Sequence, residues 1–539
     1  MKKKALKKLS VSVISVIAAV SLIAGCSSSG SSSKQPVQSD AGAGTTTPAT
    51  AKKDPVTIKV EVFDRGNSPA GMTVTNNEQT KFVKENFTAQ TNINVEYIPV
   101  PRSQEVEKLN ILMASGDAPD IVFTYDMNTV YKYVQQGGLT ELSEVIDKYG
   151  PDLKAFLGKE TLDTGIFDKG QYAIPAKRVY LGKYSSMIRQ DWLDKLSLPL
   201  PKTTDEVYNV LKAFKEKDPG GLGAKNIPLG FTLTPASYEP IIWSFLKQGT
   251  EEEQYTLTQQ VSHENMLLMP GHKEAVQFLN KLYNEGLMSP DFSLDKDRKK
   301  LSQDITNGKV GMYSEDAGNS YFNDGDIDVL AKNIASAKLT PIDPYTNEEG
   351  KHAKPAYAST GIYIIVPKNS KHAAEAVQYL NWMAQKDPMF TLRFGVEGQN
   401  YTMVDGLPQL KDDEATKNRL YNAGDMIMIS NGTDFGSLDK NLAGMALTYS
   451  KPYRDESKVA LMNGMQDGIK PVRFDHPLAS EAKYGKSLSD KYEEILVKAI
   501  MAKTGDFNKV YDDGVKDYMA SGGQEVLKER QEAYQAMKN

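Results

Sequence analysis

Five histidines, His263, His272, His352, His372 and His476, are the residues best suited to moving protons or holding transition metals, and their spacing supports neither use. No two stand as in His-Glu-x-x-His, which sets two zinc ligands on one face of a helix. No Gly-x-Ser-x-Gly turn presents a nucleophilic serine, and no Gly-x-x-x-x-Gly-Lys loop offers its amides to a phosphate. Asp324, Asp326 and Asp328 alternate like the opening of a calcium loop. The sixth position, however, is Val329 where glycine must turn the chain, and the last is Ala335 where a glutamate is required. These acids are expected to form a solvated turn. Paired carboxylates for glycoside hydrolysis stay open, since any two of 69 acids could meet in a cleft. The missing motifs shift the balance from catalysis towards binding.

Aromatic residues have more to offer a ligand. Tyr occurs 27 times against 17 Phe and three Trp (Trp192, Trp243, Trp382). A phenol or indole joins an apolar face to a polar rim, which suits stacking on a sugar ring while bonding its hydroxyls. Most of these rings are nonetheless expected to pack at the margins of cores.

The one thiol, Cys26, is too solitary for an internal disulfide, a structural zinc site or an iron–sulfur cluster. Its position suggests another use. Lys2, Lys3, Lys4, Lys7 and Lys8 precede Val11–Ala24, a 14-residue stretch of Val, Ile, Leu, Ala and Ser. A basic start followed by a short apolar run reads as a secretion signal, and it falls short of the roughly 20 residues of a spanning helix. The run closes on Ile23-Ala24-Gly25-Cys26, which resembles the bacterial lipobox. There the cysteine thiol takes a diacylglycerol and the signal is cut before it. Of the 27 residues in Ser27–Lys53, 20 are Ser, Thr, Gly, Ala or Pro, the composition of a flexible tether spanning roughly 30 Å. The whole chain has 64 − 69 = −5 charges, and losing residues 1–25 with five lysines leaves 59 − 69 = −10. An acidic body argues against nucleic acid as a partner, and it would need a lipid to stay at an anionic membrane.

The frame for such groups reads as α/β. Val56–Val62 alternates apolar and polar residues as a strand does, and so does Ile93–Ile98. Glu78–Gln90 is a plausible helix. Ser103–Ala114 places Val106, Leu109 and Met113 on one helical face with Ser103 as its N-cap. Ile121–Tyr125 is a short apolar strand. Strand–helix–strand–helix–strand in this space implies crossover units and a largely parallel sheet. Further on, Thr203–Glu206 has the form of a capping box, His272–Asn284 and His372–Ala384 are amphipathic helices, and Ile362–Val366 is another strand. At 539 residues the chain outgrows a single core, so at least two domains are expected.

Several segments, in order, resemble the family 1 extracellular solute-binding proteins of bacterial ABC sugar importers, similar in plan to maltodextrin-binding protein. Met113-Ala114-Ser115-Gly116-Asp117-Ala118-Pro119-Asp120-Ile121 resembles the family's Ala-Ser/Ala-Gly-Asp-x-Pro-Asp-Ile signature. Ile188-Arg189-Gln190-Asp191-Trp192-Leu193 resembles its Arg-x-Asp-Trp-Leu segment, with Pro199, Pro201 and Thr203 downstream. Asn307-Gly308-Lys309-Val310-Gly311-Met312 resembles its Asn-Gly-Lys-x-Gly-Met turn. Val396-Glu397-Gly398-Gln399-Asn400-Tyr401-Thr402 resembles a segment of the long, oligosaccharide-type branch. The resemblance implies a periplasmic-binding-protein-like fold, two α/β lobes joined by hinge strands with ligand in the cleft between. By that analogy 1–25 is signal, 26–53 anchor and tether, 54–180 plus 356–408 the first lobe, and 181–355 plus 409–539 the second. Many members of this branch carry a calcium loop, but here Asp218-Pro219-Gly220-Gly221-Leu222-Gly223 keeps too few oxygens, so no metal or other cofactor is expected.

Ligands of open α/β sheets lie at the carboxyl ends of strands. That rule selects Asp64 and Arg65 after the first strand and Tyr125 and Asp126 after the third. Arg189, Trp243, Tyr313, Glu315, Tyr357, Glu397 and Tyr401 complete the expected ligand-binding set. The competing reading for Arg189 is a structural ion pair with Asp191. The function expected is a monomeric, lipid-anchored receptor on the outer face of the cell membrane, passing an oligosaccharide to ABC transporter permease subunits. The alternatives are a membrane-tethered polysaccharide-degrading enzyme, and a lipoprotein that senses or scaffolds without a permease.

Overall fold

Nine residues from Val56 to Asp64 form the first strand because Ile58, Val60 and Val62 face inward while Thr57 and Lys59 meet solvent. The computed structural model describes residues 54–247, 249–258, 264–474 and 476–538. The signal, the tether and Cys26 lie outside the described residues. Ten strands matter for the site: β1 (Val56–Asp64), β2 (Ile93–Pro101), β3 (Val122–Thr124), β4 (Ile174–Arg178), β5 (Tyr184–Arg189), β6 (Ile227–Gly230), β7 (Val310–Asp316), β8 (Leu339–Ile342), β9 (Thr360–Ile365) and β10 (Ser430–Asn431).

β1 and β2 pair in parallel from Val56↔Ile93 to Asp64↔Pro101. A parallel bridge between Val60 and Ile121 brings in the chain just before β3. β9 then runs antiparallel to both β3 and β4, and β10 lies parallel to β4. The expected largely parallel sheet thus holds only for the β2-β1-β3 side. β9 is antiparallel because it returns from the other lobe rather than from a crossover helix. The second lobe has the order β8-β5-β7-β6, in which only β6 and β7 are parallel.

Each lobe has its own core. Val60, Phe87, Phe123, Ile364 and Leu380 fill the first. Trp192, Phe214, Leu279, Leu496 and Tyr518 fill the second, beside a smaller cluster around Met187, Tyr313 and Leu461. The first core also takes in Met426, Ile427, Met428 and Ile429, carrying that lobe past the expected limit at 408. The reason is β10, whose pairing with β4 draws the preceding apolar run beneath the first sheet.

The chain therefore passes between lobes three times, near 179–184, 343–359 and 432–437, and the passages lie side by side. Val179 N–H donates to Asn431 O at 3.0 Å, Arg178 N–H to Ser359 O at 3.0 Å, and Tyr357 N–H to Leu181 O at 2.8 Å.

Local chemistry explains most helix ends. His272–Asn284 has the expected bounds. Thr203 caps Thr204–Lys217 by accepting from Glu206 N–H at 3.2 Å, but the Glu206 carboxylate turns to Lys202 N–H at 2.6 Å instead of closing the box. Ser103 is not the N-cap expected of it, because a 3₁₀ turn over Arg102–Gln104 precedes the helix Glu105–Ser115. Nor is the acidic turn simply solvated. Asp324 is exposed, whereas buried Asp326 pairs with Arg298 at 2.8 Å and Asp328 accepts from Ser450 Oγ at 2.6 Å. Buried His272 lies between the hydroxyls of Tyr511 at 2.7 Å and Tyr492 at 3.0 Å. Burial pushes its pKa down to about 3, so the ring joins three helices as a neutral group. Among the described residues no helix is long and apolar enough to cross a membrane.

Candidate functional site

Strand ends on the first lobe build one wall of the site. Phe63, near the end of β1, and Tyr125, just after β3, stack at 6.4 Å with their planes 16° apart. Arg102 lies over both rings, at 5.0 and 4.7 Å, while pairing with Glu105 at 2.8 Å. These rings and Arg65, Arg393, Tyr421 and Asn422 line a cavity of about 290 Å³. Arg65 reaches across it to Asp425, donating Nε and Nη2 to the two carboxylate oxygens at 2.7 and 2.8 Å. Asp64 tightens the turn by accepting from Gly66 N–H at 2.9 Å.

The passages between the lobes supply the floor. Tyr357 lies on one of them, with the Arg178 guanidinium 4.4 Å from its ring centroid and Lys183 Nζ at 5.2 Å. Its hydroxyl donates to Asp316 Oδ1, at the end of β7 on the second lobe, over 3.4 Å. One ring therefore touches a first-lobe cation and a second-lobe acid. Burial, helped by the charge of Glu315, pushes the Asp316 carboxyl up to about 6. Burial also raises the phenol pKa of Tyr184, beside the Glu239 carboxylate.

The remaining expected residues lie elsewhere. Asp126 caps the helix Met127–Gln135, accepting from Asn128 N–H at 3.0 Å and Thr129 Oγ1 at 2.6 Å. Buried Arg189 forms a two-pronged pair with Asp191, both contacts 2.7 Å, and gives Nη1 to Gly308 O at 3.1 Å. Gly308 stands at φ +72°, a turn a side chain would strain. Tyr313 is wholly buried and donates to Ser320 Oγ at 3.0 Å. Buried Glu315 pairs with Arg298. Trp243 is buried at the end of the helix Pro235–Trp243, beside a separate cavity of about 250 Å³. Glu397 is exposed on its loop, and Tyr401 packs on Phe390 and Phe394. Arg65 and Tyr125 are thus gathered on one wall and Tyr357 on the floor, while Asp64 holds the turn before Arg65.

Sequence reasoning passed over Arg178, Asp316 and Asp425. The strand-end rule would have selected Asp316, the last residue of β7, had it not stopped at Tyr313 and Glu315. Nothing local marks Arg178 or Asp425.

The Asp218 turn is closed by its own backbone. Oδ1 accepts from Leu222 N–H at 2.9 Å and Oδ2 from Gly223 N–H at 2.7 Å. Among the described residues no cluster of three or more His, Cys, Asp or Glu side chains is placed to hold a metal ion.

A family model described as bacterial extracellular solute-binding protein matches residues 74–389. The chain is 27% identical over 463 residues to lipoprotein LipO of Bacillus subtilis strain 168, covering 81% of this chain and 86% of that one. It is 25% identical over 471 residues to the polygalacturonan/rhamnogalacturonan-binding protein YtcQ of the same strain, covering 83% and 87%. Among solved structures, the S. pneumoniae ABC-transporter substrate binding protein FusA in complex with kestose shares the fold. Its TM-score is 0.67 at 17% identity, over 89% of this chain and 99% of that one.

Proposed function

This chain belongs to the bacterial extracellular solute-binding proteins, a family of binders rather than enzymes, and from there we propose that it captures an oligosaccharide between its lobes and delivers it to an ABC transporter permease. The observation that carries this reading is the floor of the cleft, where the Tyr357 ring joins Arg178 of the first lobe to Asp316 of the second. Charged groups beside aromatic faces suit the hydroxyls and the C–H faces of sugar rings. The names of relatives point the same way: one binds polygalacturonan and rhamnogalacturonan, and another was solved with kestose.

Capture here is a change of population. A ligand that touches both walls binds the closed arrangement better than the open one, and its differential affinity draws the lobes together. The closed form is the one that docks on the permease. The receptor acts as a monomer and, at the Asp218 turn, without calcium, since Pro219, Gly220, Gly221, Leu222 and Gly223 bring no side-chain oxygen towards the roughly six to eight that calcium takes. Cys26 in Ile23-Ala24-Gly25-Cys26 carries the lipid that holds it at the outer face of the membrane, a reading supported by its likeness to a lipoprotein.

Isothermal titration of the full-length chain with mixed oligosaccharides, followed by a reducing-end assay, tests the receptor. Saturable binding with no new reducing ends is expected, and turnover or an absence of binding would overturn it. Labelled palmitate should enter the wild-type chain and not Cys26→Ala.

A further inference from the structure

Four arginines surround the first-lobe wall and the floor, and two of them are paired with carboxylates. Arg65 is neutralised by Asp425 and Arg102 by Glu105. Arg393 has no acid beside it, gives Nη2 to the carbonyls of Ser430 and Gly432 at 3.1 and 3.3 Å, and keeps its buried Nε without a partner. Arg178 is likewise without an acid. Its protein hydrogen bond from the side chain is Nε to Thr360 O at 3.4 Å, and among the described residues no carboxylate lies within ion-pair distance. The groups close enough to act on its charge are two phenols, Tyr357 and Tyr125. It is also withdrawn from water, and burial pulls its pKa below the ordinary guanidinium value.

A desolvated cation without a counter-ion is costly, and proteins keep one where a ligand supplies the missing charge. The Tyr357 ring centroid lies 4.4 Å from the guanidinium carbon, and a guanidinium stacked on a ring can still offer two N–H groups as the fork that matches a carboxylate. Accepting the oligosaccharide reading above, on which this rests, we infer that the ligand is an acidic oligosaccharide and that Arg178 binds the carboxylate of one of its uronic-acid units. A neutral sugar would leave the cation unpaired, so the same site discriminates against it.

The test uses the full-length chain and three probes: oligogalacturonate, its fully methyl-esterified form, and a maltooligosaccharide of the same length. The ester has the same ring and the same size but no charge. By titration calorimetry the acid form should bind at least tenfold more tightly than the ester, and its affinity should fall as salt is raised. Arg178→Gln should reduce that preference to less than threefold, and Arg178→Lys should restore part of it. Circular dichroism checks that both variants fold, and the wild-type comparison of acid with ester stands even if neither does. Equal binding of acid and ester, or a preference that Arg178→Gln leaves intact, would overturn the inference. Tight binding of the maltooligosaccharide alone would overturn it while sparing the receptor reading. Binding of none of the saccharides would remove both.

Discussion

Arg65 and Asp425 meet fork to fork across the mouth of the first-lobe cavity, although 360 positions separate them in the chain. The Arg65 side chain is 45% exposed and that of Asp425 11%, so water screens the pair. Such pairs contribute about 0.2–1 kcal/mol. Asp425→Asn should therefore lower the unfolding free energy by less than about 1 kcal/mol. Urea denaturation of the two chains checks this, and a drop several times larger would show that the pair braces the lobe.

The pair of Arg189 with Asp191 should behave in the opposite way. Their side chains are 4% and 16% exposed, and the same guanidinium holds the Gly308 carbonyl. Removing one partner of a buried pair strands the other, at about 3–5 kcal/mol. Arg189→Ala should lose stability on that scale, while any folded fraction keeps its ligand affinity. Lost affinity at unchanged stability would instead return Arg189 to the binding surface.

Tyr357 separates the contribution of its ring from that of its hydroxyl. Tyr357→Phe keeps the face on Arg178 and gives up a 3.4 Å contact with Asp316, so the stability change should stay below about 0.5 kcal/mol. Tyr357→Ala should weaken saccharide binding at least tenfold. Comparable losses in both variants would mean that the hydroxyl, not the face, meets the ligand.

Glu61 gives the protein a pH signature. It is 1% exposed, accepts from Phe123 N–H at 3.2 Å, and is held up to about 8 by burial, with the charge of Glu105 adding to it. An acid whose folded pKa lies above its ordinary value favours the native state while protonated. That contribution is complete below 4.5 and is lost as the pH rises towards about 8, levelling beyond. Urea midpoints should fall across that window in the wild type. Glu61→Gln, which never ionises, should lack this component and be the more stable chain above pH 8. Identical slopes in the two chains would refute the assignment.

The sequence was most legible where chemistry is local. Alternation marked β1 and β2, and the helix His272–Asn284 followed from its apolar period. Site residues were harder, because a polar residue after a strand has two common uses. Tyr125 and Asp126 are neighbours after β3, yet one presents a ring to the cavity while the other caps a helix. Arg178 was invisible for another reason. Its importance comes from the carboxylate it lacks, and only the packing of segments far apart in sequence reveals an absence. The antiparallel entry of β9 was likewise hidden, being set by the route of the chain through the other lobe.

The three passages between the lobes, tied edge to edge at Asn431, Ser359 and Leu181, act mechanically like a door hung on three pins. One strap would allow twisting and sliding; three abreast leave a single angle of swing. Whatever the length of the cargo, its capture is then translated into one coordinate. A partner that recognised the closed form would have only that angle to read, and a shut door looks the same whichever guest is inside.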